Sequence, residues 1–183
     1  MSYTFLNESK LTGVGIGMRT PHLPQLLDPT NILAKQIPWL EILTDNYLNV
    51  GGYYAAHLTA LAEKYPITLH GVGMSIGSDS ELNIHYLRAV KKLANEHQAI
   101  LISDHLSWSN FGNQRSHDLL PLLYTEEKLK FICTQVKLAQ DILERPLVLE
   151  NISAYYEHST NTLDEASFLN ELCEETGCGI LLD

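Results

Sequence analysis

The chain has 183 residues, 45% of them hydrophobic, which is enough to form the core of one globular domain. Its formal net charge is −10 at pH 7, from 12 basic and 22 acidic residues, and no run of lysine or arginine occurs. That charge argues against a nucleic-acid partner and against an anionic membrane surface, since both require clustered positive charge.

The N-terminus and the cysteines indicate a cytoplasmic protein. The opening stretch "MSYTFLNESKLTGVGIG" has neither a basic segment nor a long apolar run, so it predicts no secretory signal, and no apolar run in the sequence is long enough to span a bilayer. The three cysteines, Cys133, Cys173 and Cys178, form no Cys-x-x-Cys pair, which is typical of reduced thiols in the cytosol.

Apolar runs and helical patterns alternate along the chain. Six continuous apolar runs predict strands buried on both faces, over residues 13–18, 39–43, 67–71, 99–105, 147–151 and 179–183. Helical patterns over 53–65, 80–97, 125–144 and 163–177 precede the last four of them. We expect capping boxes at Ser78/Glu81 and Thr162/Glu165, an N-cap at Thr125 and a helix end at Gly177.

This alternation predicts an α/β fold with a parallel sheet. A (β/α)8 TIM barrel of the xylose-isomerase-like type fits better than a Rossmann domain, because polar residues recur at the ends of the strands and no Gly-x-Gly-x-x-Gly motif opens a helix. A barrel needs eight units and typically about 250 residues. We therefore predict a single metal-binding domain over 1–183 that holds about six of the eight units and is incomplete at its C-terminus.

The polar residues at the strand ends are the main functional signal, because barrel enzymes place their chemistry at the carboxyl ends of the strands. In chain order these residues are Arg19, His22, Glu41, Asp45, Asn46, His70, Asp104, His105, Glu150, Asn151 and Asp183.

Four of these residues predict a metal centre: His70, His105, Glu150 and Asp183, on four consecutive predicted strands. Two histidines with carboxylates and without cysteine favour Fe, Mn or Zn. The alternative is that each histidine is a hydrogen-bonded core residue.

Other polar residues near these strand ends carry weaker signals. Asp104 and Asn46 are either groups that orient the histidines or loop caps, and Tyr47 either lines a pocket or packs in the core. We expect Gly71 and Gly73, which follow His70, to let the backbone turn where a Cβ would crowd the metal.

Seven stretches of the sequence resemble one bacterial family. They are "GVGIGMRTPH", "WLEILTDNYLNVGG", "LHGVGMSIGS", "SDHLSWS", "HDLLPLLYTEE", "LENISAYY" and "TGCGILLD", which run from Gly13 to Asp183. In this order they resemble the multinuclear non-haem iron-dependent oxidases, long a domain of unknown function, which include the iron oxidase of methanobactin biosynthesis. Asp104 stands where that family commonly has Glu.

The resemblance implies a barrel with two or three iron ions, for which Zn or Mn would substitute. His70 and His105 would bind one iron, and Glu150 would bridge it to a second iron that Asp183 binds; these first three residues would form the catalytic site. Asn151 would lie near a third iron, and the remaining ligands of the family follow the sixth strand.

The resemblance also implies an O2-dependent oxidase whose substrate is a cysteine-containing precursor peptide, bound with the help of a partner protein. Tyr47, Arg19 and His22 are the candidates for substrate binding. Two alternatives stay open: a divalent-metal hydrolase or isomerase with a related barrel, and a catalytically incomplete metal-binding fragment. Metal identity separates the first alternative from the oxidase, since a coloured multi-iron centre indicates oxidation and colourless Zn or Mn indicates hydrolysis or isomerisation.

Overall fold

All six predicted strands are present and form one parallel sheet. The computed structural model describes residues 11–111 and 114–183, with side chains described outside 109–117; most of the N-terminal stretch predicted to hold no signal lies outside these residues. The strands are β1 (Ile16–Gly17), β2 (Leu40–Leu43), β3 (Ile67–Gly71), β4 (Leu101–His105), β5 (Trp108–Phe111), β6 (Gln114–Leu120), β7 (Val148–Glu150) and β8 (Gly179–Leu181). The parallel sheet has the order β1-β2-β3-β4-β7-β8.

Helices separate most of these strands, as the predicted TIM-barrel type requires. They are α1 (Leu23–Leu27), α2 (Gly52–Ala62), α3 (Ile84–Glu96), α4 (Glu126–Leu143) and α5 (Glu165–Thr176). Consecutive helices α3, α4 and α5 pack against each other in chain order. None of the helices in the described part of the chain has the length and apolar composition needed to cross a membrane.

The two faces of the parallel sheet differ in chemistry because successive side chains of a strand point to opposite sides. The outer face is apolar and packs in one core with the helices: Ile42, Leu69, Ile102 and Leu149 are each at most 2% exposed. Residues of the inner face are paired across the sheet with parallel register, including Glu41 with Thr68, His70 with Ser103, and His105 with Glu150. Polar residues are therefore concentrated on the inner face.

Two of the four predicted helix ends are confirmed and two are wrong. Thr125 caps α4, and Gly177 ends α5 in the left-handed conformation. Helix α3 begins after Asn83, whose side chain accepts from the backbone N–H of Tyr86, so the predicted box at Ser78/Glu81 is wrong. Helix α5 is capped by Asp164, which corrects the box at Thr162/Glu165.

Among the α-helices and strands of the described residues, the short helix α1 was not predicted, and neither was the antiparallel hairpin of β5 and β6, inserted between β4 and α4. The indole Nε1–H of Trp108 donates to the carbonyl of Pro121 at 2.9 Å, so the first residue of β5 is bound to the backbone that follows β6. The hairpin thereby stands at the carboxyl end of β4.

The cap at Asn83 gives a stability prediction. Replacing Asn83 with Ala leaves an N–H of the first turn of α3 without its acceptor, so we expect the free energy of unfolding to fall by about 1 kcal/mol. Urea unfolding followed by circular dichroism measures this change. In the control Glu81→Ala, which alters only the box partner predicted from the sequence, we expect a change within about 0.5 kcal/mol. Equal losses in the two variants would contradict the assignment.

Candidate metal centre

Three of the four predicted ligands meet at the carboxyl ends of β3, β4 and β7. His70 Nε2 lies 3.2 Å from Glu150 Oε2, and His105 Nε2 lies 3.6 Å from the same oxygen. The two imidazole rings meet edge to face with centroids 4.6 Å apart. Among the described residues, these three form the only histidine, cysteine and carboxylate group whose ligand atoms all lie within 4.8 Å of one another.

The spacing of these atoms suits a metal ion. Nitrogen and oxygen ligands lie about 2.1 Å from Zn in proteins, so two ligand atoms of one tetrahedral ion are about 3.4 Å apart. The two Nε2–Oε2 distances, 3.2 and 3.6 Å, bracket that value. Two imidazoles and a carboxylate are also ligands that Fe, Mn and Zn accept. The three residues therefore fit a divalent ion.

Hydrogen bonds at Nδ1 orient both imidazoles. Ser103 Oγ lies 2.9 Å from His70 Nδ1 and 3.4 Å from the carbonyl of Leu69; when its hydroxyl donates to that carbonyl, its oxygen accepts from His70 Nδ1. His105 Nδ1 donates to the carbonyl of Gly71 at 3.3 Å. A proton on Nδ1 leaves Nε2 with its lone pair directed at the metal position, which is the arrangement that metal-binding histidines adopt.

Burial keeps the two histidines neutral. It lowers the pKa of both His70 and His105, although the charge of Glu41 acts in the opposite direction. Burial also raises the pKa of Glu150, while the proximity of His70 lowers it. Since metal ligands must be deprotonated, two neutral imidazoles at pH 7 are prepared to bind a cation.

Asp104 does not contact the ring of His105, which corrects one role predicted for it. Neighbouring residues of β4 point to opposite faces, so the Asp104 side chain is buried on the outer face and accepts from the backbone N–H of His105 (2.8 Å) and Met74 (3.1 Å). Burial raises the pKa of Asp104 to about 7. The Asp104 carboxylate therefore binds backbone N–H groups rather than the imidazole of His105.

The two glycines after His70 face this outer side as well, which corrects the prediction that they relieve crowding at the metal. A Cβ on Gly71 would lie 2.5 Å from an Asp104 oxygen and 2.8 Å from the Tyr86 hydroxyl. A Cβ on Gly73 would lie 2.6 Å from Asp45 Oδ1 and 2.7 Å from the Tyr86 ring. The glycines are required by the close approach of these side chains.

Asp183 and Asn151 lie beside the three ligands rather than among them. Asp183 is exposed; its Oδ2 accepts from the Ser153 hydroxyl at 2.9 Å, and its backbone N–H donates to Asn151 Oδ1 at 3.0 Å. The charge of Asp183 raises the pKa of both His105 and Glu150, so it lies within electrostatic reach of the centre. Asn46 is exposed in the turn after β2.

A cavity of about 590 Å³ opens beside the centre. It is lined by His105 and Glu150, by residues from the end of β6 and by the segment after β7 that contains Asn151, Tyr155 and Tyr156. Its volume lies within the range of small-ligand sites in proteins. Apart from His105, Glu150, Asn151 and Asp183, the residues that line it come from the end of the hairpin, from Pro121 and from the segment after β7, which the sequence did not single out for this role.

The three predicted substrate-binding residues do not line this cavity. Tyr47 is 5% exposed in the hydrophobic core and faces a small cavity between α2 and α3, so its prediction as a substrate wall is corrected. Arg19 is exposed, and His22 accepts from the Arg19 backbone N–H through Nδ1, in the turn that follows β1.

Two groups that contact the imidazoles were missed in the sequence. Ser103 precedes His105 by two residues on the same strand face, and that spacing was the available signal. The carbonyl of Gly71 carries no side-chain signal, so no local pattern predicts its contact with His105.

Comparisons with known proteins show the family of the chain. The family model described as "RiPP precursor modification enzyme MbnB/TglH/ChrH" matches residues 13–183. A UPF0276 protein of Caulobacter vibrioides (strain NA1000 / CB15N) is 42% identical over 171 residues, which are 93% of this chain and 60% of that protein. UPF0276 protein VV3194 of Vibrio vulnificus (strain YJ016) is 40% identical and covered to 57% of its length. The chain thus spans about three fifths of these relatives.

A solved structure supports the fold. Endonuclease IV from Thermus thermophilus superposes with a TM-score of 0.55 at 13% sequence identity, over 93% of this chain and 62% of that chain. At this identity the likeness concerns the fold alone, and it agrees with the predicted xylose-isomerase-like TIM barrel.

Ser103 gives a prediction for metal binding. In Ser103→Ala, His70 Nδ1 loses its acceptor, and we expect the dissociation constant for Zn or Mn to rise about 10- to 100-fold. Competition titration with a chromogenic chelator measures this constant. Thr68→Val is the matched control, since the buried Thr68 hydroxyl, two residues before His70, has no hydrogen-bond partner. The role of Ser103 is wrong if both variants bind metal as the wild type does.

Proposed function

We propose a function from one premise: the chain belongs to the MbnB/TglH/ChrH family of RiPP precursor modification enzymes. The function is that of an iron-dependent, O2-dependent oxidase that modifies cysteine-containing precursor peptides. A separate protein that recognises the precursor would assist it. Because the chain spans about 60% of its curated relatives, the activity, substrate and partner are proposed for the whole protein.

The single observation that carries the proposal is the convergence of His70, His105 and Glu150 on one point. These residues would hold one iron, with neutral imidazoles on one side and the Glu150 carboxylate on the other. Glu150 and Asp183, which lies within electrostatic reach of it, would be the residues to hold a second ion. Iron bound there would supply the one-electron and O2 chemistry that amino-acid side chains lack.

The surroundings of the centre suit a peptide substrate. The cavity of about 590 Å³ begins at His105 and Glu150 and is large enough for a peptide segment. Tyr155 and Tyr156 offer aromatic surface at its rim, and both are exposed. A cysteine thiol of the peptide would bind the metal as a thiolate, because the deprotonated sulfur is the form that coordinates metals. Such binding would place the sulfur at the centre where the oxidation is proposed to occur. The residues of the chain would thus position the ion and enclose the peptide.

Metal binding by the chain tests the central step. We expect anaerobically prepared protein to bind Fe(II) at the site of His70, His105 and Glu150. His70→Ala and Glu150→Ala should each reduce bound iron by at least tenfold at equal free iron, measured by elemental analysis after gel filtration. His85→Ala is the control, because His85 is exposed on α3. Iron content unchanged in both site variants would refute the metal-centred proposal.

Oxygen uptake tests the reaction class. The iron-loaded protein should consume O2 only when a cysteine-containing peptide is present, and the same peptide with serine in place of cysteine should not trigger uptake. Mass spectrometry of the peptide identifies the oxidised product. Peptide modification without O2 consumption would contradict the oxidase proposal.

A second candidate is a divalent-metal hydrolase or isomerase, which the barrel shared with endonuclease IV favours. In that case a metal-bound water would supply the nucleophile or base. The net charge of −10 opposes a nucleic-acid substrate. Retention of Zn or Mn with no iron after expression in iron-replete medium would favour this candidate over the oxidase.

A further inference from the structure

A polar cluster lies on the outer face of the sheet, behind the metal centre. We define the Tyr86 cluster as Tyr86 of α3, Asp45 of the turn after β2, and Asp104 of β4. The Tyr86 hydroxyl lies 3.3 Å from Asp45 Oδ2 and 3.5 Å from Asp104 Oδ2. Three separate elements therefore meet at one hydroxyl group, and the Tyr86 ring packs against the hydrophobic core.

The Tyr86 cluster binds the turn that follows β3. Val72 N–H donates to Asp45 Oδ2 at 2.9 Å, and Met74 N–H donates to Asp104 Oδ2 at 3.1 Å. Between them, Gly73 N–H donates to the Tyr86 hydroxyl at 3.3 Å. Three consecutive backbone N–H groups thus end on the three members of the cluster, and the path of the turn is specified residue by residue.

The hydroxyl of Tyr86 is suited to this position. Burial raises the pKa of Tyr86, and the two carboxylates raise it further, so the group stays protonated. It can donate to one carboxylate while its oxygen accepts from Gly73 N–H. Phenylalanine keeps the ring at the same place but offers neither bond.

The first residue of this turn, Gly71, carries the carbonyl that accepts from the His105 imidazole. The carbonyl of Gly71 receives the Nδ1 proton of His105, and a Cβ on Gly71 would lie 2.8 Å from the Tyr86 hydroxyl. We propose that Tyr86 is a positioning residue of the metal centre: by fixing the turn from Gly71 to Met74, it holds the Gly71 carbonyl that sets the tautomer and orientation of His105. This inference rests on the proposed metal-binding function.

Tyr86→Phe tests the inference with two readouts. We expect its dissociation constant for Zn, Mn or Fe(II) to rise about tenfold, at the lower end of the effects of groups that support metal ligands. In the metal-free protein, long-range 1H–15N correlation of the imidazoles should show His105 with its proton on Nδ1 in the wild type. In Tyr86→Phe we expect His105 to show a mixture of tautomers.

Tyr124→Phe is the matched control. Its hydroxyl also donates to one carboxylate, Glu165 Oε1 at 3.1 Å, but this carboxylate belongs to α5 and not to the Tyr86 cluster. Both variants lose one oxygen and one hydrogen bond to a carboxylate, and urea unfolding of both corrects for any general loss of stability. Metal affinity and the His105 tautomer should remain as in the wild type in Tyr124→Phe.

The outcomes separate this inference from the function on which it rests. An unchanged His105 tautomer in Tyr86→Phe overturns the positioning role, whether or not metal affinity falls, and so does an affinity within twofold of Tyr124→Phe. If the wild type binds no metal, the proposed function fails while the tautomer readout still decides whether Tyr86 positions His105. Should Tyr86→Phe not fold, Asp45→Ala, which removes the acceptor of Val72 N–H and of the Tyr86 hydroxyl, takes its place with the same expectations.

Discussion

The register of β3, β4 and β7 is the constraint on which the metal centre depends. It pairs His70 with Ser103 and His105 with Glu150, so that the imidazoles, their supporting hydroxyl and the carboxylate share the inner face. A slip of β4 by one residue would turn Ser103 and His105 into the helix layer and bring Asp104 inward. The apolar outer face prevents this, because Ile102 is buried against the helices and would have to move to the inner face.

The same alternation explains why Asp104 is buried among helices. An ionised carboxylate in that layer is unfavourable unless it is hydrogen-bonded, and burial does raise the pKa of Asp104 to about 7. The backbone N–H groups of Met74 and His105 compensate for part of this cost. Asp104 thereby connects the backbone of β4 at His105 to the turn that follows His70.

Sequence patterns predicted the sheet and the three converging ligands, but not the contacts that orient them. Continuous apolar runs identified every strand of the parallel sheet because these strands are covered on both faces. The hairpin was missed because β6, "QRSHDLL", is mostly polar. Two helix caps were misplaced, since Asn83 and Asp164 lie close to other residues that satisfy the same local pattern. Tyr86 and the Gly71 carbonyl act across the tertiary fold, which no local spacing encodes.

The charges around the centre would link the binding of a cation there to the stability of the fold. Glu41 and Asp183 both raise the pKa of Glu150, so two further carboxylates act on it, on a chain whose net charge is already −10. The proximity of His70 acts in the opposite direction, but burial and the two other carboxylates keep the pKa of Glu150 raised. A divalent cation between His70, His105 and Glu150 would offset the repulsion among the carboxylates, and a ligand that binds only the folded state stabilises it by about 2.7 kcal/mol at a concentration 100 times its dissociation constant. Under the proposed function, the carboxylates that would attract a cation would therefore also make the folded chain more stable with one than without.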